Sequence, residues 1–172
     1  PSGKDDLDGL ETLAWTADAA GNPGRAELVT LPGKRAKGAK RLALELSGGE
    51  SSYTAFRCEG AWRLKTKASS KTVLVIYNDT GGALKASFAY SVSPDYVWYE
   101  SPPQTLDSGW NTVVVSQGES HFKTASSEWK HTAALWKPED CRALSLVFQS
   151  GKRTGRVFVD WLYVDAEKNR NP

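Results

Sequence analysis

Residues 72–91, TVLVIYNDTGGALKASFAYS, contain the clearest fold signal of this chain. Residues 72–77 are apolar on both faces of an extended chain, which predicts a central β-strand. The Asn, Asp, Thr and Gly residues at 78–82 predict a turn, and residues 84–91 alternate in hydropathy as a half-buried strand does. We therefore predict a β-hairpin with a loop of about five residues. Its register is fixed by Phe88, which we expect to point into the core.

Similar short segments, rich in Val, Leu, Tyr, Phe and Trp, recur on both sides of this hairpin. They are residues 26–31, 41–46, 52–58, 62–66, 96–100, 110–116, 144–149 and 156–164. With the hairpin they make about ten strands separated by Gly, Pro, Asn, Asp and Ser, which is typical of an all-β protein. One twisted sheet of that many strands would leave a face too apolar for water, so we predict a two-sheet antiparallel β-sandwich.

The only helix-like stretch is residues 126–135, with Ser126 or Ser127 as a candidate N-cap. The sequence contains no internal repeat and no low-complexity linker. We therefore expect a single domain over residues 1–172, with a core of about 6–166 and flexible tails.

Charge and hydropathy argue against two classes of partner. The chain has 22 Lys and Arg against 20 Asp and Glu, a net charge of +2, and both signs are scattered. Nucleic acid is therefore not an expected partner, and no run of about 18 apolar residues predicts a membrane span. The chain starts at Pro1 and contains no Met, so we expect a processed product or a domain excised from a larger protein.

The two cysteines, Cys58 and Cys141, lie far apart and match no metal-ligand spacing. Two interpretations stay open. A disulfide would close a long loop, stabilise the fold by about 4 kcal/mol and imply an oxidising compartment. Alternatively, both are buried free thiols that behave as small apolar residues.

Signatures of catalysis are missing from the sequence. Glycoside hydrolysis needs two carboxylates at a defined separation, and no such pair stands out. There is no Gly-x-Ser-x-Gly, no His-Glu-x-x-His and no Gly-rich phosphate loop. His121 and His131 lack an obvious third metal ligand. We therefore do not expect an enzyme.

Aromatic residues, in contrast, are in excess. Seven Trp in 172 residues is about three times the usual frequency. An indole or phenol ring offers a flat apolar face that matches the C–H face of a pyranose, at little cost in side-chain entropy. Trp110 and Trp161 lie inside strand patterns, so we assign them to structure. Trp15 is either a lid on the sandwich edge or a binding ring.

Residues 96–100 form the densest aromatic cluster, Tyr96-Val97-Trp98-Tyr99-Glu100. Strand alternation places Tyr96, Trp98 and Glu100 on one face and Val97 and Tyr99 on the other. If Val97 points inward, the first face is a stacking platform beside a carboxylate. If instead Trp98 fills the core, Tyr99 is the exposed ring, so both remain candidate ligand-binding residues.

Two more groups supply candidate ligand-binding residues. A loop that we expect to have few strand features, residues 121–136, carries His121, Trp129 and Trp136, and long loops that carry aromatics are frequently functional. Arg57, which alternation places opposite the core, can donate a fork of hydrogen bonds to vicinal hydroxyls or to a uronic acid. Trp62 lies near it in sequence.

Five short motifs carry a family resemblance. They are DGLETLAW at 8–15, GAKRLAL at 38–44, YNDTG at 77–81, GWNTV at 109–113 and GRVFVDWLYV at 155–164. In this order they resemble the jelly-roll carbohydrate-binding modules of the galactose-binding-like superfamily, related to families 4, 11, 22 and 30. The likeness spans nearly the whole chain, but each motif is short.

The resemblance implies a secreted, extracellular module that binds polysaccharide and is covalently linked to a catalytic domain in the full-length protein. In such families the aspartate of the closing strand often binds a structural calcium with acidic residues near the N-terminus. Asp160 with Glu11 or Asp8 is the corresponding calcium site here, although Trp161 replaces the polar residue that often follows.

Three functions follow, in decreasing order of expectation. The first is a non-catalytic module that binds plant or algal polysaccharide of the β-glucan, xyloglucan, mannan or xylan type by aromatic stacking, and targets an attached enzyme. The second is a structural or partner-binding sandwich of a larger extracellular protein. The third is a jelly-roll polysaccharide lyase or hydrolase.

Overall fold

Twelve β-strands make up most of the part of the chain that the computed structural model describes, residues 4–6, 15–30, 40–59 and 70–166. The strands are β1 Lys4–Asp6, β2 Trp15–Ala17, β3 Gly24–Thr30, β4 Lys40–Ser47, β5 Thr54–Glu59, β6 Ser70–Asp79, β7 Leu84–Val92, β8 Val97–Glu100, β9 Gln104–Leu106, β10 Gly109–Ser116, β11 Cys141–Phe148 and β12 Thr154–Ala166. Their described pairings are antiparallel. The predicted strand at 62–66 lies outside the described residues.

The strands form two six-stranded sheets. In the back sheet the order is β10-β6-β12-β4-β3, and β1 pairs with the far end of β12. In the front sheet the order is β2-β5-β11-β7-β8, and β9 also pairs with β7. The predicted two-sheet antiparallel β-sandwich is thus confirmed, and β1, β2 and β9 are additional short strands.

The core lies between the two sheets and follows the alternation of the strands. Leu44 and Ile76 enter it from the back sheet, and Phe56, Phe88 and Phe148 enter it from the front sheet, all almost completely buried. Phe56 and Phe148 meet edge to face at 6.1 Å. The inward direction predicted for Phe88 is confirmed, because its ring is 1% exposed within this core.

The predicted hairpin between residues 72–77 and 84–91 is wrong. Strand β6 pairs with β10 and β12 in the back sheet, whereas β7 pairs with β8, β9 and β11 in the front sheet. The turn between them crosses from one sheet to the other. The turn is held at its start by the buried Asn78, whose Nδ2 donates to the carbonyls of Gly82 (2.9 Å) and Leu106 (3.1 Å). Turn residues therefore predicted the chain reversal, but not the strands that pair.

The helix predicted at 126–135 is also wrong. The structure has only a 3-10 turn at Ala125–Ser127. The next two residues, Glu128 and Trp129, have φ angles of 54° and 61°, a left-handed conformation that ends a right-handed helix and that bulky residues seldom adopt. None of the described residues forms a helix long and apolar enough to cross a bilayer.

Both cysteines are buried and neither is in a disulfide, so the second interpretation, in which they behave as small apolar residues, holds. Cys58 lies opposite Leu144 in the β5–β11 ladder, three positions away from Cys141. Three residues at about 3.3 Å each and one strand spacing of about 4.8 Å put the two Cα atoms about 11 Å apart, which is too far for a disulfide.

We expect both thiols to be unreactive in the native state. Burial raises the pKa of the Cys141 thiol to about 11, so at pH 8 only about one molecule in a thousand carries the reactive thiolate. Ellman's reagent should therefore release almost no chromophore from native protein and two equivalents after unfolding in guanidinium. A melting temperature that falls on addition of dithiothreitol, or rapid labelling of the native chain, would contradict this.

Candidate binding cleft

Small side chains line the centre of the outer face of the front sheet. Ala55, Ala89 and Val147 point away from the main core, from the neighbouring strands β5, β7 and β11, and form a separate buried cluster. Two larger rings, Tyr53 and Trp98, pack against this cluster from its margins. Short residues in the middle and rings at the sides leave a depression across the sheet.

This depression is a cleft of about 730 Å³, a size typical of ligand sites. The lining residues are Asp18, Ser52, Tyr53, Trp98, Glu100, Lys123, Trp129, Val147, Gln149, Ser150 and Gly151. Three aromatic rings, an ion pair and several hydroxyl or amide groups therefore converge on one space. That combination suits a ligand with both apolar faces and many hydrogen-bonding groups.

Strand β8 contributes Trp98 and Glu100, as predicted for one face of residues 96–100. Trp98 is half-buried in the cleft wall, and Glu100 lies at its base. Tyr99 points into the sandwich core and is almost completely buried. The prediction that Tyr99 is a ligand-binding residue is therefore wrong, because its ring is buried in the core and has no face on which a ligand could stack. Val97, whose inward direction was one of two alternatives, is exposed at the start of this short edge strand.

The polar centre of the cleft is an ion pair between Glu100 and Lys123. Lys123 Nζ lies 2.6 Å from Glu100 Oε2, and the Glu100 side chain is 9% exposed. Two backbone hydrogen bonds of 2.9 and 3.0 Å join the same residues, so the backbone holds the pair in place. A paired ammonium and carboxylate offer donors and acceptors to a ligand without a net charge.

Tyr53 adds a phenol to the cleft. Desolvation first, then the negative charges of Asp18 and Glu100, raise the pKa of the Tyr53 hydroxyl above its ordinary value. The hydroxyl therefore stays protonated at any physiological pH and can donate a hydrogen bond. Tyr53 was not among the ligand-binding residues predicted from the sequence.

A loop after β10 presents Trp129, which is 56% exposed at the cleft. Ser127 fixes the turn that precedes it. Its hydroxyl accepts the N–H of Thr124 at 3.0 Å and lies 2.7 Å from the carbonyl of Lys130, to which it donates. The left-handed backbone of Trp129 is a strained conformation that this network holds.

Other predicted site residues lie outside the cleft lining. Arg57 is on the same sheet face, where its Nε donates to Glu59 Oε1 (3.0 Å) and its Cζ lies 5.4 Å from the ring centroid of Tyr96. Trp136 is 62% exposed and has the Lys137 ammonium 4.8 Å from its ring centroid.

Three further aromatic or basic candidates, His121, Trp15 and Trp62, are also absent from the cleft lining that the structure describes. His121 is half-buried, and its Nδ1 lies 3.2 Å from Glu119 Oε2. Trp15, for which two roles were open, is buried in the core. Trp62 lies outside the described residues.

Sequence reasoning missed the floor of the cleft and most of its polar rim. Gln149, Ser150 and Gly151 follow β11, and Asp18 follows β2. The usable signal was indirect: Ala55 and Ala89, on the non-core face of β5 and β7, pack beside the lining residue Val147 and leave room for a depression there.

The calcium site at Asp160 stays a prediction, and two of its three proposed ligands, Asp8 and Glu11, lie outside the described residues. The Asp160 carboxylate accepts a hydrogen bond from Arg41 Nε at 2.9 Å, and both side chains are largely buried. Among the described residues no group of three His, Cys, Asp or Glu is placed to hold a metal. These residues alone do not form the oxygen cage that calcium needs, and an ion would have to displace a guanidinium.

Thermal unfolding in calcium and in chelator tests this prediction. A site at Asp160 should raise the melting temperature of the wild type in calcium, because calcium would bind only the folded chain. The Asp160→Asn variant should lose that increase. Equal melting temperatures of the wild type in the two solutions would contradict the site.

The fold is similar to that of known carbohydrate-binding modules. A family 11 carbohydrate-binding module from Clostridium thermocellum, solved with a β-1,3-1,4-mixed-linked tetrasaccharide, superposes with a TM-score of 0.63 at 13% identity, over 93% of this chain and 92% of that one. The CBM22-1 xylan-binding domain from Paenibacillus barcinonensis gives a TM-score of 0.53 at 10% identity, over 90% and 86% of the two chains. An exo-β-agarase gives 0.64 at 11% identity, over 86% of this chain but only 23% of that one.

No protein-family model matches this sequence, and no curated protein matches it. The predicted resemblance to jelly-roll carbohydrate-binding modules is therefore confirmed as a likeness of fold, at identities of 10 to 13%.

Proposed function

We propose that this chain is a non-catalytic carbohydrate-binding module whose ligand is a neutral polysaccharide of the β-glucan, xyloglucan, mannan or xylan type. The observation that carries the proposal is the cleft on the front sheet, with Tyr53, Trp98 and Trp129 around a floor of small side chains. Flat rings stack on the C–H faces of sugar rings, and a shallow floor lets a chain lie across the sheet.

The polar groups of the cleft support a neutral ligand. The Glu100 carboxylate is paired with the Lys123 ammonium at 2.6 Å. The lining also contains the Asp18 carboxylate, and its negative charge would repel a uronic acid. Glu100 and Lys123 can still bind hydroxyls, which accept and donate at once. Arg57, the residue considered for a uronic acid, is paired with Glu59 outside the cleft.

We further propose that the chain is secreted and targets an attached catalytic domain to its polysaccharide. Support comes from similar domains in longer chains, among them the CBM22-1-GH10 modules of a Clostridium thermocellum xylanase complexed with xylohexaose, where this chain covers 26% of the neighbour. Such a module raises the effective concentration of its enzyme at the substrate.

Affinity gel electrophoresis tests the proposed function. Gels that contain mixed-linkage β-glucan, xyloglucan, xylan or mannan should retard the chain in at least one case, while pectin should not. Isothermal titration calorimetry with oligosaccharides of the retarding polymer then gives the affinity. Unchanged mobility in all four neutral polymers would contradict the proposal, and so would release of reducing sugar from any of them.

The turn at Ser127 should matter for binding although Ser127 does not line the cleft. The Ser127→Ala variant loses the hydroxyl that joins Thr124 to Lys130, so the Trp129 ring has to be ordered when the ligand binds. We expect the affinity to fall about three- to tenfold, by calorimetry against the retarding polymer. Ser126→Ala, a change at an exposed neighbour, is the control, and equal affinities of the two variants would contradict this role.

A further inference from the structure

The outer face of the back sheet also exposes aromatic residues, on the side of the sandwich away from the cleft. Trp110 is 53% exposed and Trp161 is 39% exposed. The assignment of these two residues to structure is therefore wrong, since both lie in strands, as expected, but point outward. Val114, four residues after Trp110 in β10, is 43% exposed on the same face.

Strand register places the two indoles on one surface. Trp110 lies opposite Tyr77, and Tyr77 lies opposite Phe158. Trp161 lies opposite Val75, which is two residues before Tyr77 in β6 and points to the same outer face. Two strand spacings and two residues along the strand put the Cα atoms of Trp110 and Trp161 about 12 Å apart, a separation that a short oligosaccharide spans.

The Trp110 ring is held in place before any ligand arrives. Tyr77 meets it edge to face at 5.1 Å with an interplanar angle of 76°. The Arg41 guanidinium lies 5.2 Å from its centroid and is itself fixed by Asp160, whose Oδ1 accepts from Arg41 Nε at 2.9 Å. The Arg41 and Asp160 side chains are only 18% and 8% exposed, so their role is to hold the ring, and the exposed surface of Trp110 is what a ligand contacts.

Charges within the described part of this face are balanced. Arg41 is paired with Asp160, Arg156 with Glu45 at 3.2 Å and Arg25 with Glu27 at 3.5 Å. The face therefore offers no net charge to attract an anion such as a phosphate or a uronic acid. An uncharged ligand is favoured.

Within the described residues, the exposed apolar area of this face is small for a protein partner. Trp110, Val114 and Trp161 together expose roughly 300 Å², whereas a stable protein–protein interface buries about 800 Å² on each side, of which about 60% is apolar. A single sugar chain needs only one or two rings to stack on, with polar groups beside them.

From this ring, its neighbours and the balanced charges we propose a second carbohydrate-binding site on the outer face of the back sheet, centred on Trp110, for a neutral glycan. It does not depend on the cleft. Because the two sites face opposite sides of the sandwich, one molecule can bind two segments of polysaccharide, and avidity follows where both engage one surface.

Fluorine NMR of the whole chain labelled with 5-fluorotryptophan tests this proposal, because each indole gives its own signal. The probes are soluble oligosaccharides of mixed-linkage β-glucan, xyloglucan, xylan and mannan, and single Trp→Phe variants assign the signals. In the Trp98→Ala/Trp129→Ala variant, which lacks two cleft rings, the Trp110 signal should still shift with at least one probe. A Trp110 signal that is unmoved by all four, or that shifts only when the cleft is intact, would overturn the second site.

The same spectra separate this proposal from the proposed function. If the wild-type signals of Trp98 and Trp129 stay still while that of Trp110 moves, the cleft proposal fails and the second site stands. A Trp110 signal that changes with protein concentration alone would show self-association and overturn the second site.

Matched variants give the size of the effect. In the cleft-deficient background, Trp110→Ala should weaken binding at this face about tenfold or more, as loss of a stacking ring does. Thr112→Ala changes an exposed residue on the same strand and face and should leave it unchanged. The glycan response is then followed on Trp161, and equal affinities of the two variants would overturn the role of Trp110.

Discussion

Replacement of Trp129 by alanine should lower the affinity of the chain for its polysaccharide about 30-fold or more, the loss expected when a central aromatic residue of a binding site is removed. The ring is 56% exposed at the cleft and is held by a turn that restricts its movement. The variant loses a stacking surface that, in the wild type, gives up little side-chain entropy when the ligand binds. Calorimetry with oligosaccharides of the retarding polymer measures the change.

Trp136→Ala is the matched control for this experiment. Trp136 belongs to the same loop and is 62% exposed, but it does not line the cleft. Its removal should leave the affinity within about twofold of the wild type, since surface changes away from a site have small effects. If Trp136→Ala weakened binding as much as Trp129→Ala, stacking in the cleft would not explain recognition.

The second large effect concerns stability. Asn22→Ala should destabilise the fold by about 3 kcal/mol, which corresponds to a melting temperature lower by roughly 6–12 °C. Asn22 is buried between two loops that reach the cleft. Its Nδ2 donates to the carbonyls of Ser51 (2.8 Å) and Gly151 (2.9 Å), and its Oδ1 accepts the N–H of Ser51 (2.9 Å). Alanine leaves all three backbone groups without this partner.

Asn111→Ala removes an almost identical set of hydrogen bonds at the more exposed start of β10. Asn111 Nδ2 donates to the carbonyls of Asp107 (2.8 Å) and Gly109 (2.9 Å), and its Oδ1 accepts the N–H of Asp107 (2.9 Å). Water can replace these partners, so we expect a loss of about 1 kcal/mol or less. Urea unfolding of both variants measures the difference, and equal losses would contradict the view that burial makes Asn22 important.

Part of the candidate site was predictable from local sequence. Alternation along residues 96–100 placed Trp98 and Glu100 on one face, and a long loop with aromatics pointed to Trp129. The same alternation left Tyr99 open, because it assigns two faces to a strand without saying which one meets the core. Asn22 gave no signal at all, since its importance comes from carbonyls at Ser51 and Gly151, distant in the chain.

Hydropathy along the chain by itself determined the fold class and the inward face of strands such as β7, where Phe88 enters the core. The reason is that side-chain direction in a strand repeats every two residues, and this repeat is a local property. Only the tertiary structure decided which strands pair. Residues 72–77 and 84–91 are joined by a short turn yet belong to different sheets, because β6 instead forms a ladder with β12, far away in sequence. Each strand edge can pair with many others in the chain, so local sequence does not fix the partner. The cleft exists because the observed pairing places small residues between aromatic rings.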